Sequence, residues 1–212
     1  PWWSRADNIC SAPPWIMKKI PSPRALPLAI PMKRGAAAAA KASLSDYKLR
    51  LTTYEDIPAL RFIEKQAGER FRDVGLAKIA DHDPLEAEEH ALAIEDGTSF
   101  VIAKGEEPVG FLVADWLDEA LHIAEMAVHP DHGGQRLGEI LINAAKGLCV
   151  EKGRKQLSLS TFRDVPWNAP YYATLGFEDI DAAYLGKDHR AMKEAQDVVF
   201  DQTPRVFMVL RT

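Results

Sequence analysis

Residues Ala127 to Ala145 read AVHPDHGGQRLGEILINAA, and the reading of this stretch decides the fold. An apolar strand ends at Val128, His129-Pro130 breaks it, two glycines and an arginine follow, and an amphipathic helix begins at once. A helix N-terminus exposes amide N–H groups that have no partner inside the helix, and the helix dipole adds positive potential there. Gly133 and Gly134 lack Cβ, so the backbone is free to take unusual dihedrals and to approach a ligand closely. Gln135, Arg136 and Leu137 then present successive amides, the make-up of a nest for a diphosphate. The competing reading is a plain corner between strand and helix. What surrounds the turn decides between them.

Working outward, the apolar runs SFVIAKG (99–105), PVGFLVADWL (108–117) and ALHIAEMAVHP (120–130) are separated by the short breaks GEEP and DE, which suit antiparallel neighbours. RLGEILINAAKGLCVEKG (136–153) places Leu137, Ile140, Leu141, Ala144 and Leu148 on one helical face. Beyond it come a strand, KQLSLSTF, a short helix, NAPYYATLG, a strand start, FEDI, a helix over 186–200 and a closing strand, PRVFMVLRT. Before it, LRLTTYEDIPALRFIEKQAG gives a strand and a helix, with Thr53 and Asp56 spaced as a capping box and Pro58 in the tolerant first turn. DPLEAEEHALAIEDG gives a second helix closed by Gly97. The fold class is α/β in the α+β sense: a mixed, mostly antiparallel central sheet flanked by helices, over residues 48–212.

Residues 1–47 read differently. Seven of the 14 prolines fall by Pro31, GAAAAAKAS follows, and no period of 2 or 3.6 persists, so a disordered or loosely held arm is expected there. A Pro-initial chain suggests a fragment, a processed product or a mis-set start, and a basic leader leaves organelle targeting open. Residues 1–50 hold nine basic groups against two acidic ones, leaving 17 basic and 29 acidic groups elsewhere, a net of -12. Such an acidic body argues against nucleic acid as a partner. With 47% hydrophobic and 27% charged residues, and no apolar run near the roughly 20 residues of a bilayer span, a cytoplasmic protein without a membrane role is expected. Cys10 and Cys149 match no metal or redox spacing, and Cys149, inside a helical apolar pattern, reads as a buried free thiol. No metal site is expected.

The turn has company. EMAVHPDHGGQRLGEILI, followed by NAPYYATLGFEDI, resembles the GNAT superfamily of N-acetyltransferases. In that family a strand ending V-x-P leads into Q/R-x-x-G-x-G/A and a helix, and a Tyr stands four residues before Gly-Phe. Here these elements are Val128-His129-Pro130, Gly133 to Gly138, and Tyr172 ahead of Gly176-Phe177. Two positions depart: Gly133 replaces the usual Gln or Arg, and Arg136 replaces a usual Gly, which puts the loop's close approach in question. The resemblance runs from about Leu49 to the C-terminus.

It implies acetyl-coenzyme A as co-substrate and a primary amine of a small molecule as acceptor, attacked directly in a ternary complex. It also implies that Ala124–Val128 splays from the next strand. The pantetheine arm would pair with the backbone of Met126, Ala127 and Val128, and the diphosphate would lie on Gly133, Gly134, Gln135, Arg136, Leu137, Gly138 and Glu139. Val128 N–H is the implied oxyanion donor and Tyr172 the implied acid for the departing thiolate. Glu125, an acid in an apolar strand, is the candidate base, with a solvent-facing or ion-paired carboxylate as the alternative. Asn168 is read as a cap for the short helix, with a coenzyme contact as its second role. The segments 68–76 and 184–190, with Phe71, Arg72, Asp73, Trp116 and Trp167, are the candidate acceptor walls. A homodimer, an acyl-coenzyme A sensor without turnover, and a protein lysine or N-terminus as acceptor stay open as alternatives.

Overall fold

Apolar alternation over the middle of the chain becomes three consecutive antiparallel strands in the computed structural model, which describes residues 44–199 and 203–212. In chain order the elements are β1 (Tyr47–Leu51), α1 (Ile57–Gly68), α2 (Ala77–Asp81), α3 (Ala87–Glu95), β2 (Ser99–Lys104), β3 (Glu107–Leu117) and β4 (Ala120–Val128). There follow α4 (Leu137–Glu151), β5 (Gln156–Phe162), α5 (Ala169–Thr174), β6 (Glu178–Asp179), α6 (Lys187–Val199) and β7 (Arg205–Arg211). The expectation of a loose arm over residues 1–47 falls, up to residue 43, outside the described residues, as does Cys10.

The strands form one sheet in the order β1-β2-β3-β4-β5-β7-β6. Every pair is antiparallel except β4 and β5, which α4 joins as a crossover. Side-chain alternation sends Val101, Phe111 and Val113 to one face against Leu60 and Ile63 of α1 and Ala93 of α3. Ile102, Leu112 and Ala114 go to the other face against Leu137, Leu141 and Ala145 of α4. Phe207 of β7 meets Met192 of α6. Both faces of β3 are therefore covered, which is why its middle reads as a continuous apolar run.

Local chemistry sets the element ends. Thr53 N–H donates to Asp56 Oδ2 at 2.8 Å, completing the predicted capping box before α1. Gly97, at φ 68°, closes α3. The helix predicted from Asp83 begins only at Ala87, because Glu86 and Glu89 form their own capping box beyond Pro84. The buried stripe of α4 is Leu137, Gly138, Leu141, Ile142, Ala145 and Cys149; the predicted Ile140, Ala144 and Leu148 sit at its border, partly exposed. Cys149 is a buried free thiol whose Sγ meets Gln156 O at 3.2 Å.

Candidate functional site

β4 leaves its neighbour halfway along. Its register on β3 passes from Val113↔Glu125 to Ala114↔Ile123, so Ala124 is an extra residue, a β-bulge that bends the strand. Pairing with β5 stops at Ile123↔Leu159. Past the bulge Glu125–Val128 stay on β3 while Ser160–Phe162 stay on β7, and the two strands splay. His129 N–H donates to Val109 O on β3 at 2.8 Å. By alternation the N–H groups of Met126 and Val128 then face the opening. Met126 N–H already has an acceptor, Glu125 Oε1 at 3.1 Å.

The opening continues into a cleft of about 710 Å³. Its wall includes Glu125, Met126, Ala127, Val128, Gly133, Gly134, Arg136, Leu137, Gly138, Asn168 and Tyr172, eleven of the thirteen residues expected from sequence. Gln135 and Glu139 lie outside the wall. Glu139 instead holds the Arg136 guanidinium, with Nε at 2.8 Å and Nη2 at 2.9 Å.

The turn before α4 keeps the geometry that glycine would give. Gly134 has φ 73°, and Arg136, where the family usually has Gly, still takes a left-handed φ of 60° and ψ of 22°. For a side chain with Cβ that conformation costs about 1–2 kcal/mol, so the substitution changes the strain and leaves the path of the backbone in place. A Cβ on Gly138 would stand 2.8 Å from Tyr171 Oη, which shows how closely α5 covers the start of α4. Leu137 and Gly138, the first residues of α4, line the same cleft, where a helix leaves its first amides without intrahelical partners.

Four ionisable groups meet along the splay. Glu125 is pushed up to about 7, first by burial, against the pull of the Met126 N–H and the Arg205 cation. Tyr172, a phenol that is protonated at neutral pH in any case, is raised further above its ordinary value by burial, then by the Glu125 charge and Tyr171. Glu64, on α1, is raised well above the usual carboxylate range by burial and then by Glu125, although both its oxygens accept from Leu85 N–H at 3.1 Å. Arg205 falls to about 10 through burial, opposed by Glu125 and Tyr172. Its guanidinium donates to Ser160 O at 2.6 Å and to Ser160 Oγ at 3.2 Å, and it lies 4.6 Å from the Phe162 ring centroid. A carboxylate near neutrality, a protonated phenol, an open strand edge and a helix N-terminus thus line one space.

The profile of the "Acetyltransferase (GNAT) family" matches residues 67–177, just over half of the chain. The chain belongs to the GNAT acetyltransferase family. As such it is an acyltransferase with acetyl-coenzyme A as co-substrate. The fold is shared with solved structures at low identity. The PaiA N-acetyltransferase of Thermoplasma acidophilum, solved with coenzyme A, is 13% identical at a TM-score of 0.58, covering 78% of this chain and 99% of its own. Ard1 of Thermoplasma volcanium is 16% identical at 0.57, covering 79% and 98%. Naa50 of Arabidopsis thaliana, solved with a bisubstrate analogue, is 13% identical at 0.55, covering 78% and 98%.

In this GNAT domain the capping role expected of Asn168 is replaced. Its side chain makes no cap bond; Nδ2 donates to Thr161 Oγ1 at 2.8 Å and ties α5 to β5. The acceptor segment 68–76 does reach the cleft through Gly68, Arg70 and Phe71, and Trp167 joins it. Arg72 does not: it pairs with Glu69 and Asp81. Trp116 lies elsewhere, 5.8 Å from the Arg154 guanidinium. Segment 184–190 borders a separate cavity of about 200 Å³ with Asp118, Ser158 and Phe207. That segment lies away from the cleft because the start of α6 docks through His189 on Ser158 and Asp118, a tertiary choice that no local pattern encodes. Glu64 and Arg205 were missed. Each had a signal, a charge on an otherwise apolar face: Glu64 beside Leu60 and Ile63 on α1, Arg205 at the start of RVFMV.

Proposed function

We propose that the protein acetylates a primary amine of a small molecule by direct attack within a ternary complex. The observation that carries the reading is the shared cleft, in which the open edge of β4, the N-terminus of α4, Glu125 and Tyr172 all face one space. The residues fit acetyl-coenzyme A. The unpaired edge at Met126–Val128 suits strand addition by the amide-bearing pantetheine arm, once Glu125 releases the Met126 N–H. The turn Gly133–Gly138, with Gln135 and Glu139 beside it, supplies main-chain amides for the diphosphate. Asn168 and Tyr171 line the same cleft.

Bound there, acetyl-coenzyme A supplies the activated acyl group. Glu125 draws the proton from the amine through a water, for which a carboxyl titrating near neutrality is suited. Val128 N–H faces the position where carbonyl charge develops. Tyr172, a phenol and so protonated at neutral pH, gives its proton to the departing sulfur. As the new C–N bond forms and the C–S bond breaks, the proton lost by the amine goes to Glu125 and that gained by the thiolate comes from Tyr172.

Thiol release from acetyl-coenzyme A, followed across small amines, aminosugars, polyamines and peptides, tests the reading. Turnover with small amines is the expected result. Turnover with peptides alone would move the acceptor to protein, and tight coenzyme binding without thiol release from any acceptor would make the domain a sensor.

A further inference from the structure

The wall of the cleft formed by the turn after α1 and the loop before α5 carries a cation, Arg70, with no charged partner among the described residues. Arg70 and Arg72 lie two residues apart. Arg72 is neutralised by Glu69 at 2.9 Å and Asp81 at 2.5 Å. The Arg70 guanidinium lies 3.8 Å from the Trp167 ring centroid, and among the described residues it has no ion pair and no hydrogen-bond acceptor. A guanidinium laid on an aromatic face keeps its in-plane N–H groups free for a forked pair with a carboxylate. Behind it the wall is stiff: Phe71 meets Trp167 at 5.7 Å and Phe162 at 5.6 Å, both edge to face. The same wall holds a buried donor, Trp167 Nε1–H, that finds no acceptor.

The other cations of the wall are engaged: Lys65 Nζ donates to Ala80 O at 2.9 Å and His82 O at 3.0 Å, and Arg136 is held by Glu139. Glu64 and Glu125 are two desolvated carboxyl groups that repel one another, a setting that welcomes an ammonium. Arg205 is already turned to Ser160 and lies in the field of Glu125 and Tyr172. Among the described cations of the wall, Arg70 is thus the one whose guanidinium has neither an ion pair nor a hydrogen-bond acceptor. With a net charge of -5, the protein as a whole does not draw anions toward it, so a cation at this wall has to act locally.

We propose that the acceptor is an amine that also carries a carboxylate, a free amino acid in the simplest case, with its carboxylate held by Arg70 on Trp167 and its amine delivered to Glu125. This rests on the N-acetyltransferase reading above and narrows its substrate class. It makes Arg70 a specificity-determining residue.

The test is thiol release with matched pairs of amino acids and their carboxamides, on the wild-type enzyme and on Arg70→Gln. The amine of the carboxamide is the less basic of the two and more of it is neutral, so preference for the acid cannot come from amine basicity. The wild type is expected to favour the acid in kcat/KM by about tenfold or more, the scale of one charge-assisted pair. Arg70→Gln is expected to bring that ratio close to one, and Trp167→Phe, which removes the N–H and keeps a ring, to lower it partway. Coenzyme A binding by calorimetry separates the other source of negative charge. If Arg70→Gln weakens coenzyme A and leaves the acid-to-amide ratio intact, the cation serves a coenzyme phosphate and the proposal is overturned. Equal kcat/KM for acid and amide in the wild type overturns it as well. Absence of turnover with every amine would instead strike the function on which it rests.

Discussion

Glu125→Gln, read through the pH dependence of kcat/KM, probes the chemistry most closely. Burial holds the Glu125 carboxyl at about 7, against the Met126 N–H and Arg205 that pull it down. A base must be ionised to work, so half of the enzyme is competent at pH 7. Each further unit toward acid reduces the competent fraction about tenfold, or ~1.36 kcal/mol. The wild-type profile should therefore gain one further unit of slope below neutrality, on top of the fall set by protonation of the acceptor amine. No opposing limb should arise from Tyr172 in the neutral range, since its phenol is shifted upward from its ordinary value. A second limb, at higher pH, belongs to the acceptor amine and moves when the acceptor is changed. In Glu125→Gln the amide occupies similar space without a basic oxygen, so activity should drop by about 10²–10⁴-fold. The limb near 7 should disappear, while the acceptor's limb stays. Rates measured by thiol release from pH 5 to 9 decide it. A near-neutral limb that survives the substitution, or turnover within twofold of wild type, would remove Glu125 from the mechanism.

Tyr172→Phe should lower kcat by about 10²–10⁴-fold if the phenol is the acid, with coenzyme affinity by calorimetry unchanged; a loss under twofold would assign the ring to packing alone. Arg136→Gly should leave coenzyme affinity within about threefold, because the guanidinium is held by Glu139 and Gly takes the left-handed backbone without the Cβ strain; a tenfold loss would show that the cation itself grips phosphate. Asp118→Ala should destabilise by about 2–4 kcal/mol in chemical denaturation, since it removes the acceptor for the Asp188 and His189 amides and leaves His189 Nδ1 without its partner at 2.6 Å. Burial works to raise the Asp118 carboxyl, but the bonds from His189 and the two amides hold it below its ordinary value. Its stabilisation is therefore complete above the unfolded carboxylate range and fades as pH falls through the folded value, so the gap between wild type and Asp118→Ala should narrow in acid. A gap that widens in acid would contradict that assignment.

What could be read from the sequence followed from how locally each feature is encoded. Capping at Thr53–Asp56, the hairpin breaks around Gly105 and Asp118, and the strand-turn-helix at 124–151 depend on neighbours within four or five residues, and the structure has them. The splay of β4 was available only through the resemblance, because a bulge at Ala124 leaves no mark on an apolar run. Asn168 shows the limit of local reasoning. Its place before α5 suits a cap, yet Thr161, brought beside it by β5, takes its side chain. Placing segment 184–190 at the acceptor end failed for a similar reason: the docking of α6 runs through Asp118, Ser158 and His189, residues far apart in sequence. Glu64 and Arg205 were visible as charges on apolar faces, but nothing nearby in sequence pointed them at Glu125 and Tyr172. The two short turns of helix between α1 and α3 carry no amphipathic period long enough to register.

Calorimetric titration with coenzyme A and, separately, with pantetheine bears most directly on the main-chain grip around Gly134–Gly138. If those amides hold a diphosphate while the edge of β4 holds the arm, coenzyme A should bind at least tenfold more tightly than pantetheine, which lacks the phosphates. Equal affinity for the two, or no heat with either, would contradict it.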